Sequence, residues 1–163
     1  MKSEPFLWVK ENLHLKLSHT KTFLSIHALH ASEKVEKMQV YIDGGVIMHQ
    51  FKANRTGRIA IVMGSTVIIE DVGTVTSNQA EYLALIRALK LASEKHINSI
   101  HVLSDSELLV KQLTGQYQVR NQEIRKLHEE VNKLKNQFNN FSVEWIPREK
   151  NIAGKLLAKE TSR

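Results

Sequence analysis

The sequence predicts a mixed α/β domain in which helices pack on the faces of one mixed β-sheet. Short β-branched runs come first, amphipathic segments with apolar residues three to four positions apart follow, and two further strand-like runs separate those segments. The resulting order is three strands, a helix, a strand, helices, a strand and a helix. This order differs from the regular strand–helix repeat of a doubly wound fold. With 163 residues, the chain is long enough to bury one core.

Composition and charge limit the class of protein. A hydrophobic content of 42% and a charged content of 25% are ordinary for a water-soluble globular chain. The net charge of +6 suits an anionic partner such as nucleic acid, although such a charge can also serve solubility alone. Cysteine is absent, which excludes disulfides and thiolate metal sites and agrees with a reducing cytoplasm. No apolar run approaches the ~20 residues that span a bilayer, so we expect a cytoplasmic protein without membrane contact.

Residues 1–37 are predicted to be an N-terminal extension of unknown role, and residues 38–163 the folded domain. Alternating leucines at 13–17 favour a short strand, whereas residues 23–29 fit a strand or a helix equally well. A role of the extension in protein interaction is one alternative. The extension also carries four histidines, which we interpret as surface residues because no carboxylate pattern accompanies them: His14, His19, His27 and His30.

The first strand of the domain, Val40–Asp43, ends in a carboxylate. Alternation places Asp43 beside Tyr41, on the face opposite the aliphatic side chains. A carboxylate on a buried strand requires a cation or a hydrogen-bond partner. Gly44 and Gly45 follow at once, and they either end the strand in a turn or leave room for a large group to approach the backbone.

A β-hairpin is predicted next. The β-branched runs Ile59–Met63 and Thr66–Asp71 are joined by Gly64-Ser65, a short connection typical of hairpins. Residues 49–58 are polar and basic, which predicts a loop or hairpin connection from the first strand. The first three strands are therefore expected to be antiparallel.

The helix predicted from Thr76 to Ser93 carries Glu81 in its first turn. Thr76 or Ser77 can cap its free amides. A carboxylate in this position is favoured by the helix dipole alone, but Glu81 lies beside the apolar stripe and is therefore expected to face inward. The stripe has the spacing of a core-facing helix and consists of Ala80, Leu83, Ala84, Ala88 and Leu91.

Asp105 follows the alternating strand Ser99–Ser104 and precedes a short helix, Glu107–Leu113. Folds of the α/β type place active-site chemistry where a strand ends and a helix begins. Aspartate is also a common N-cap, and the sequence leaves both interpretations open. The chain ends with an amphipathic helix, a strand stopped by Pro147, a loop and a closing helix: Asn121–Phe138, Phe141–Ile146, Arg148–Asn151 and a segment through Lys159. Asn151 can cap this closing helix.

Three acids, Asp43, Glu81 and Asp105, stand at positions that can meet in such a fold. Converged carboxylates repel one another unless divalent cations join them, and hard oxygen ligands suit Mg²⁺ or Mn²⁺. A pair of such cations is a device for phosphodiester cleavage. The pattern therefore indicates a metal site, provided that the three carboxylates converge.

Four ordered blocks resemble the type 1 ribonuclease H family. They are Val40–Gly45 (VYIDGG), Thr76–Ala92 (TSNQAEYLALIRALKLA), Leu103–Leu113 (LSDSELLVKQL) and Trp145–Ala158 (WIPREKNIAGKLLA), and the resemblance covers about residues 38–161. It implies the ribonuclease H-like fold, a five-stranded mixed sheet with three antiparallel and then two parallel strands, flanked by helices. It also implies a Mg²⁺-dependent endonuclease that cuts the RNA strand of RNA–DNA hybrids.

The resemblance assigns expected roles to single residues. The first three metal-binding acids of the family correspond to Asp43, Glu81 and Asp105, which would be both metal ligands and catalytic. Arg148 stands about where many members carry a His or Arg that assists turnover. The residues expected to bind substrate are Gly44, Gly45, Ser77, Asn78, Gln79 and Ser106. Residues 77–79 correspond to groups that touch the minor groove of the hybrid in the family. In that groove the 2′-hydroxyls distinguish RNA from DNA.

The closing segment departs from the family pattern. The fourth metal-site aspartate belongs in Asn-x-x-Ala-Asp-x-Leu-Ala, and Lys155 occupies its place. This replacement removes a ligand and changes the local charge by two units, and Glu149 is the nearest carboxylate that could stand in. Lys155 would either place its ammonium near the scissile phosphate or form a salt bridge with Asp43 that excludes metal. The glycine-rich loop usual after the first aspartate is also replaced, by Val46–Arg58.

Two functions follow as alternatives. The first is a metal-dependent ribonuclease acting on RNA–DNA hybrids, with activity reduced because Lys155 replaces the fourth carboxylate. The second is a catalytically inactive module of the same fold that binds the hybrid through a basic groove.

Overall fold

A computed structural model describes residues 36–48 and 55–161 of the chain. These residues belong to one compact unit, Glu36–Arg163. The predicted strand and the histidines of the N-terminal extension lie outside the described residues, so the role of residues 1–37 and the predicted boundary of the domain stay predictions. Among the described helices, none is both long and apolar enough to cross a membrane.

Within the described residues, five strands form a single mixed sheet in the spatial order β3-β2-β1-β4-β5. The β1–β2 and β2–β3 pairs are antiparallel, whereas β4 runs parallel to β1 and β5 runs parallel to β4. This arrangement confirms the predicted mixed sheet of three antiparallel and two parallel strands. The strands are β1 Met38–Met48, β2 Arg55–Met63, β3 Thr66–Gly73, β4 Ser99–Ser104 and β5 Asn140–Trp145.

Helices cover both faces of this sheet. On one face, α1 and α3 pack over the buried side chains Val40 and Ile42 of β1 and enclose the main core. On the other face, Ala153 and Leu157 of α4 pack over Ala60 of β2. The helices are α1 Ser77–Glu94, α2 Glu107–Leu113, α3 Gln122–Lys135 and α4 Ile152–Thr161, with a 3₁₀ turn at Arg148–Lys150 before α4.

The helix starts use side-chain caps. Thr76 caps α1 in a reciprocal capping box, in which the Thr76 backbone N–H donates to Gln79 Oε1 at 2.8 Å. Ser106 caps α2 by accepting a hydrogen bond from the backbone N–H of Leu109. The interpretation of Asp105 as the N-cap of α2 is therefore wrong, and its carboxylate is available for other contacts.

Strand β1 is longer than predicted. It continues through Gly44 and Gly45 to Met48, since the two glycines pair with Ile59 and Arg58 of β2. Backbone pairing needs no side chain, so a Gly-Gly pair can extend a strand beyond the point where its side-chain pattern stops. Smaller differences lie at the ends of other elements: α3 ends at Lys135 rather than Phe138, and β5 ends at Trp145 rather than Ile146.

Candidate active site

The three predicted acids converge at one edge of the fold. Because β1 and β4 are parallel and Ile42 pairs with Ser104, the residues that follow, Asp43 and Asp105, come side by side. Glu81 reaches them from α1, where it is the fifth residue; the prediction that placed it in the first turn is wrong, because the helix begins at Ser77 and its first turn contains no acid. One carboxylate oxygen from each acid lies within 4.8 Å of the other two. The convergence that the metal chemistry requires is therefore present.

Gly44 is what lets α1 approach β1. A Cβ atom at this position would lie 2.3 Å from the backbone carbonyl carbon of Ala80 and 2.4 Å from the backbone nitrogen of Glu81. Atoms cannot come so close, so any larger residue would displace the start of α1. The glycine thus positions the Glu81 carboxylate beside Asp43.

Burial and mutual repulsion perturb the carboxylates. Asp43 is only 2% exposed. Glu81 Oε2 is buried and has no hydrogen-bond partner among the described residues. Burial, followed by the charges of Asp43 and Asp105, raises the pKa of Glu81 to about 9. Burial and the Asp105 charge also raise the pKa of Asp43, despite the opposing effect of Arg148. A hard divalent cation would relieve this repulsion and satisfy the free oxygen, so the donor set fits Mg²⁺ or Mn²⁺.

Arg148 lies against two of the three acids. Its Nη1 donates to Asp105 Oδ2 at 2.8 Å and to Asp43 Oδ1 at 3.3 Å. The expected alternative of a salt bridge between Lys155 and Asp43 is wrong, because Lys155 is exposed and forms no ion pair within residues 36–48 and 55–161. The positively charged group next to Asp43 is instead the guanidinium of Arg148, which the 3₁₀ turn after β5 places over the site.

Asn151 is a residue of the site that sequence reasoning recognised only as a helix cap. Its Oδ1 does accept from the Ala153 backbone N–H at 3.1 Å. Its Nδ2 also donates to Asp105 Oδ1 at 2.7 Å and to the Ile42 carbonyl at 2.9 Å. The side chain is completely buried. Asparagine at the start of a helix signals a cap, but no sequence signal links it to an acid on a distant strand.

Comparisons with known proteins agree with this geometry. The sequence model of the reverse transcriptase-like family matches residues 44–161. The chain belongs to this family. Its fold is that of ribonuclease H, as the sequence resemblance implied. RNase H1 of the halophilic archaeon Halobacterium salinarum is 28% identical to this chain, with a TM-score of 0.65. The match covers 78% of this chain and 98% of the archaeal protein. LC11-RNase H1 from compost, solved in complex with an RNA/DNA hybrid, has 29% identity and a TM-score of 0.61, with 74% and 93% covered.

Curated relatives of this reverse transcriptase-like domain are longer than the matched region. Ribonuclease HI of Halobacterium salinarum is 35% identical over 91 residues, which cover 56% of this chain and 46% of the relative. A protein of Mycobacterium tuberculosis described as bifunctional is 32% identical over 127 residues, which cover 76% of this chain and 35% of the relative. The chain therefore spans between a third and a half of the length of these relatives.

The residues expected to bind substrate stand in different settings in the reverse transcriptase-like domain. Ser77 and Asn78 are exposed at the start of α1. Gln79 uses its Oε1 in the capping box, and Ser106 uses its hydroxyl to cap α2. Gly44 is buried against α1. Gly45 lines a cavity of about 220 Å³ beside Asp43, together with Arg58, Arg148 and Leu157.

Trp145 adds a contact that the sequence did not indicate. Its indole N–H donates to the backbone carbonyl of Asp105 at 3.2 Å. With Asn151 on Oδ1, Arg148 on Oδ2 and Trp145 on the backbone oxygen, Asp105 is held at every acceptor it offers. This acid is therefore oriented before any ligand arrives.

Proposed function

We propose that the chain is a divalent-metal-dependent endoribonuclease that cuts the RNA strand of RNA–DNA hybrids. The observation that carries the proposal is the convergence of Asp43, Glu81 and Asp105, in which a buried oxygen of Glu81 has no hydrogen-bond partner in the part of the chain that the structure describes. A buried, repelling cluster of acids is costly to fold, and a metal centre is the reason to keep it. The likeness to an RNase H1 that binds an RNA/DNA hybrid supports the choice of substrate.

The three acids would hold Mg²⁺, or Mn²⁺ in its place. When bound, such a cation supplies Lewis-acid activation of the phosphodiester group and of the attacking water. Asp43 is the most enclosed ligand and joins the two others, since it lies between β4 and the start of α1. Asn151 acts as a positioning residue by fixing the orientation of the Asp105 carboxylate.

The start of α1 is the proposed contact with the minor groove of the hybrid. Ser77 and Asn78 are exposed within four residues of Glu81, and their polar side chains can bind 2′-hydroxyl groups. Gln79 would take part through its amide nitrogen, since its Oε1 accepts the capping hydrogen bond. The positive end of the helix dipole favours the phosphates that flank the cleaved bond.

Lys155 is proposed to reduce activity without abolishing it. It removes the fourth carboxylate from a cluster whose other members are in place, so a second cation would bind weakly. Glu149 lies exposed in the 3₁₀ turn and makes no ion pair within the described part of the chain, so nothing holds it in place as a substitute ligand. A cytoplasmic location remains part of the same proposal.

A hybrid-binding module without catalysis is the second candidate. The contact of Arg148 with Asp43 and Asp105 favours it, because this contact offsets one of their two negative charges without a metal. Such a module would bind the hybrid in a salt-dependent way and leave it intact.

Cleavage of a hybrid labelled separately on each strand tests the proposal. The wild type should cut the RNA strand with Mg²⁺ or Mn²⁺ and not with EDTA, and Asp43→Asn should abolish cutting. Asp71→Asn is the matched control, since it removes an exposed carboxylate of β3 that pairs with Arg58. Cutting in EDTA, or equal cutting by Asp43→Asn, would contradict the nuclease. Binding without cleavage by the wild type and by Lys155→Asp would support the module.

A further inference from the structure

The contact between Arg148 and the acids places a positive charge where a metal ion would bind. Arg148 Nη1 lies 2.8 Å from Asp105 Oδ2 and 3.3 Å from Asp43 Oδ1. These two residues are also members of the cluster that can hold a cation. A guanidinium and a divalent cation at the same carboxylates would repel each other strongly in a partly buried site.

The Arg148 side chain is weakly held in this position. The Arg148 side chain is 63% exposed, and its backbone lies in a three-residue 3₁₀ turn rather than in a longer helix or a strand. Both contacts to the acids are made through the single nitrogen Nη1. The planar fork that makes arginine–carboxylate pairs strong is therefore not used here. A compact cation can displace such a contact, whereas Asn151 keeps its hold on Asp105.

We propose that Arg148 competes with the divalent cation for Asp43 and Asp105, so that it sets the metal affinity of the centre and leaves both carboxylates when the metal binds. Arg148 also lines the cavity beside Asp43, so the released guanidinium faces the space in which an anionic substrate would enter. Metal binding would thus free a cation for a substrate phosphate. The inference rests on the metal-binding role proposed above.

Titration of the full chain with Mn²⁺ in the absence of nucleic acid, followed by electron paramagnetic resonance, tests the competition. Arg148→Gln should bind Mn²⁺ roughly tenfold more tightly than the wild type, because the competing charge is gone. Lys159→Met is the matched control, since it removes one positive charge from an exposed position of α4 that makes no ion pair in the described residues. Its affinity should stay within about twofold of the wild type.

The outcomes separate this inference from the proposed metal site. Equal affinities of the wild type and Arg148→Gln would overturn the competition and leave the metal site intact. Equal tightening by Arg148→Gln and Lys159→Met would also overturn it, because the effect would then come from the general surface charge. Absence of Mn²⁺ binding in all three proteins would overturn the metal site itself, and the competition with it.

A second measurement needs no variant and reports on Arg148 directly. Phenylglyoxal modifies accessible guanidinium groups, and mass spectrometry maps the modified arginines. Addition of Mg²⁺ at constant ionic strength should accelerate modification of Arg148 several-fold, because metal releases it from the acids. Arg87 is the control, since it pairs with Glu70 at 3.3 Å through Nε, outside the acid cluster. A rate at Arg148 that Mg²⁺ does not change would overturn the inference.

Discussion

Asn151 Nδ2 lies 2.7 Å from Asp105 Oδ1, although 46 residues separate the two along the chain. The same amide nitrogen donates to the carbonyl of Ile42, the residue that precedes Asp43. One buried side chain therefore joins the strands that carry two of the acids to the start of α4. The orientation of the acids and the docking of α4 depend on a common set of hydrogen bonds.

Replacement Asn151→Ala should lower both stability and metal affinity. It removes the Asn151 donor from the Ile42 carbonyl and from one oxygen of Asp105, and it removes the cap of α4. We therefore expect a loss of about 2–4 kcal/mol in the free energy of unfolding. Urea denaturation measures this loss. Asn121→Ala is the matched control, since Asn121 caps α3 at the surface through Glu123 and Ile124 and should cost about 1 kcal/mol. Equal losses would contradict the role of Asn151.

Replacement Gly44→Ala should displace the start of α1 and with it Glu81. The added methyl group would meet the backbone of Ala80 at 2.3 Å, so we expect a loss of more than about 2 kcal/mol in stability together with loss of cleavage. Gly45→Ala is the neighbouring control, because within the described residues its methyl group would meet Leu157 Cδ2 alone, at 3.7 Å, an ordinary van der Waals contact. Thermal unfolding and the cleavage assay compare the two variants. Similar effects at both positions would show that the approach of α1 does not depend on Gly44.

The elements that could be predicted from sequence are those with a side-chain period and a local stop signal. The bounds of β4 agree with the prediction because the alternation of side chains ends at Ser104. The bounds of α2 agree because Gly115, which has a φ of 77°, follows the end of this helix. The extension of β1 through Gly44 could not be predicted, because a glycine carries no side-chain pattern and its pairing depends on β2.

The acids of the site could be predicted, but their partners could not. Asp43, Glu81 and Asp105 stood out because carboxylates at strand ends and beside apolar stripes conflict with burial. Arg148 contacts Asp43, which lies 105 positions earlier in the chain, and Asp105, which lies 43 positions earlier. Both contacts therefore depend on how β5 and the 3₁₀ turn dock against the rest of the fold. A local pattern cannot contain such a contact.

The pH dependence of stability should report on Glu81 in the metal-free protein. Its pKa is raised from 4.5 to about 9 in the folded state, so between these values the folded protein holds a proton that the unfolded chain has lost. Stability therefore falls as the pH rises through this window. Glu81→Gln should be more stable than the wild type at pH 8 in EDTA, and the two should converge as the pH falls toward 4.5. Urea denaturation across this range measures both.

An exposed glutamate is the control for this prediction. Glu123 lies at the surface of α3, paired with Lys126 at 2.9 Å, so Glu123→Gln should change neither stability nor its pH dependence by more than about 0.5 kcal/mol. Added Mg²⁺ should reverse the order of wild type and Glu81→Gln, because only the wild type keeps the full ligand set. A Glu81→Gln variant that is less stable than the wild type at pH 8 in EDTA would contradict the burial of an unpaired carboxylate.

Replacement Lys155→Asp should raise metal-dependent cleavage. The new carboxylate would stand on α4 one turn beyond Asn151, whose contacts hold this end of the helix against Asp105 and Ile42. It would add a ligand for a second cation next to Asp43, and we expect the rate of hybrid cleavage at saturating Mg²⁺ to increase by about tenfold or more, which corresponds to about 1.4 kcal/mol in the activation barrier.

Lys159→Asp makes the same change of charge one turn further along α4, where the side chain is exposed and no acid of the cluster is near in sequence. It should weaken binding of the hybrid slightly and leave the rate at saturating substrate unchanged, because it alters only the surface charge. An equal gain in both variants would assign the effect to charge rather than to a fourth ligand. Unchanged cleavage by Lys155→Asp would show that Asp43, Glu81 and Asp105 already supply all the ligands that the reaction uses.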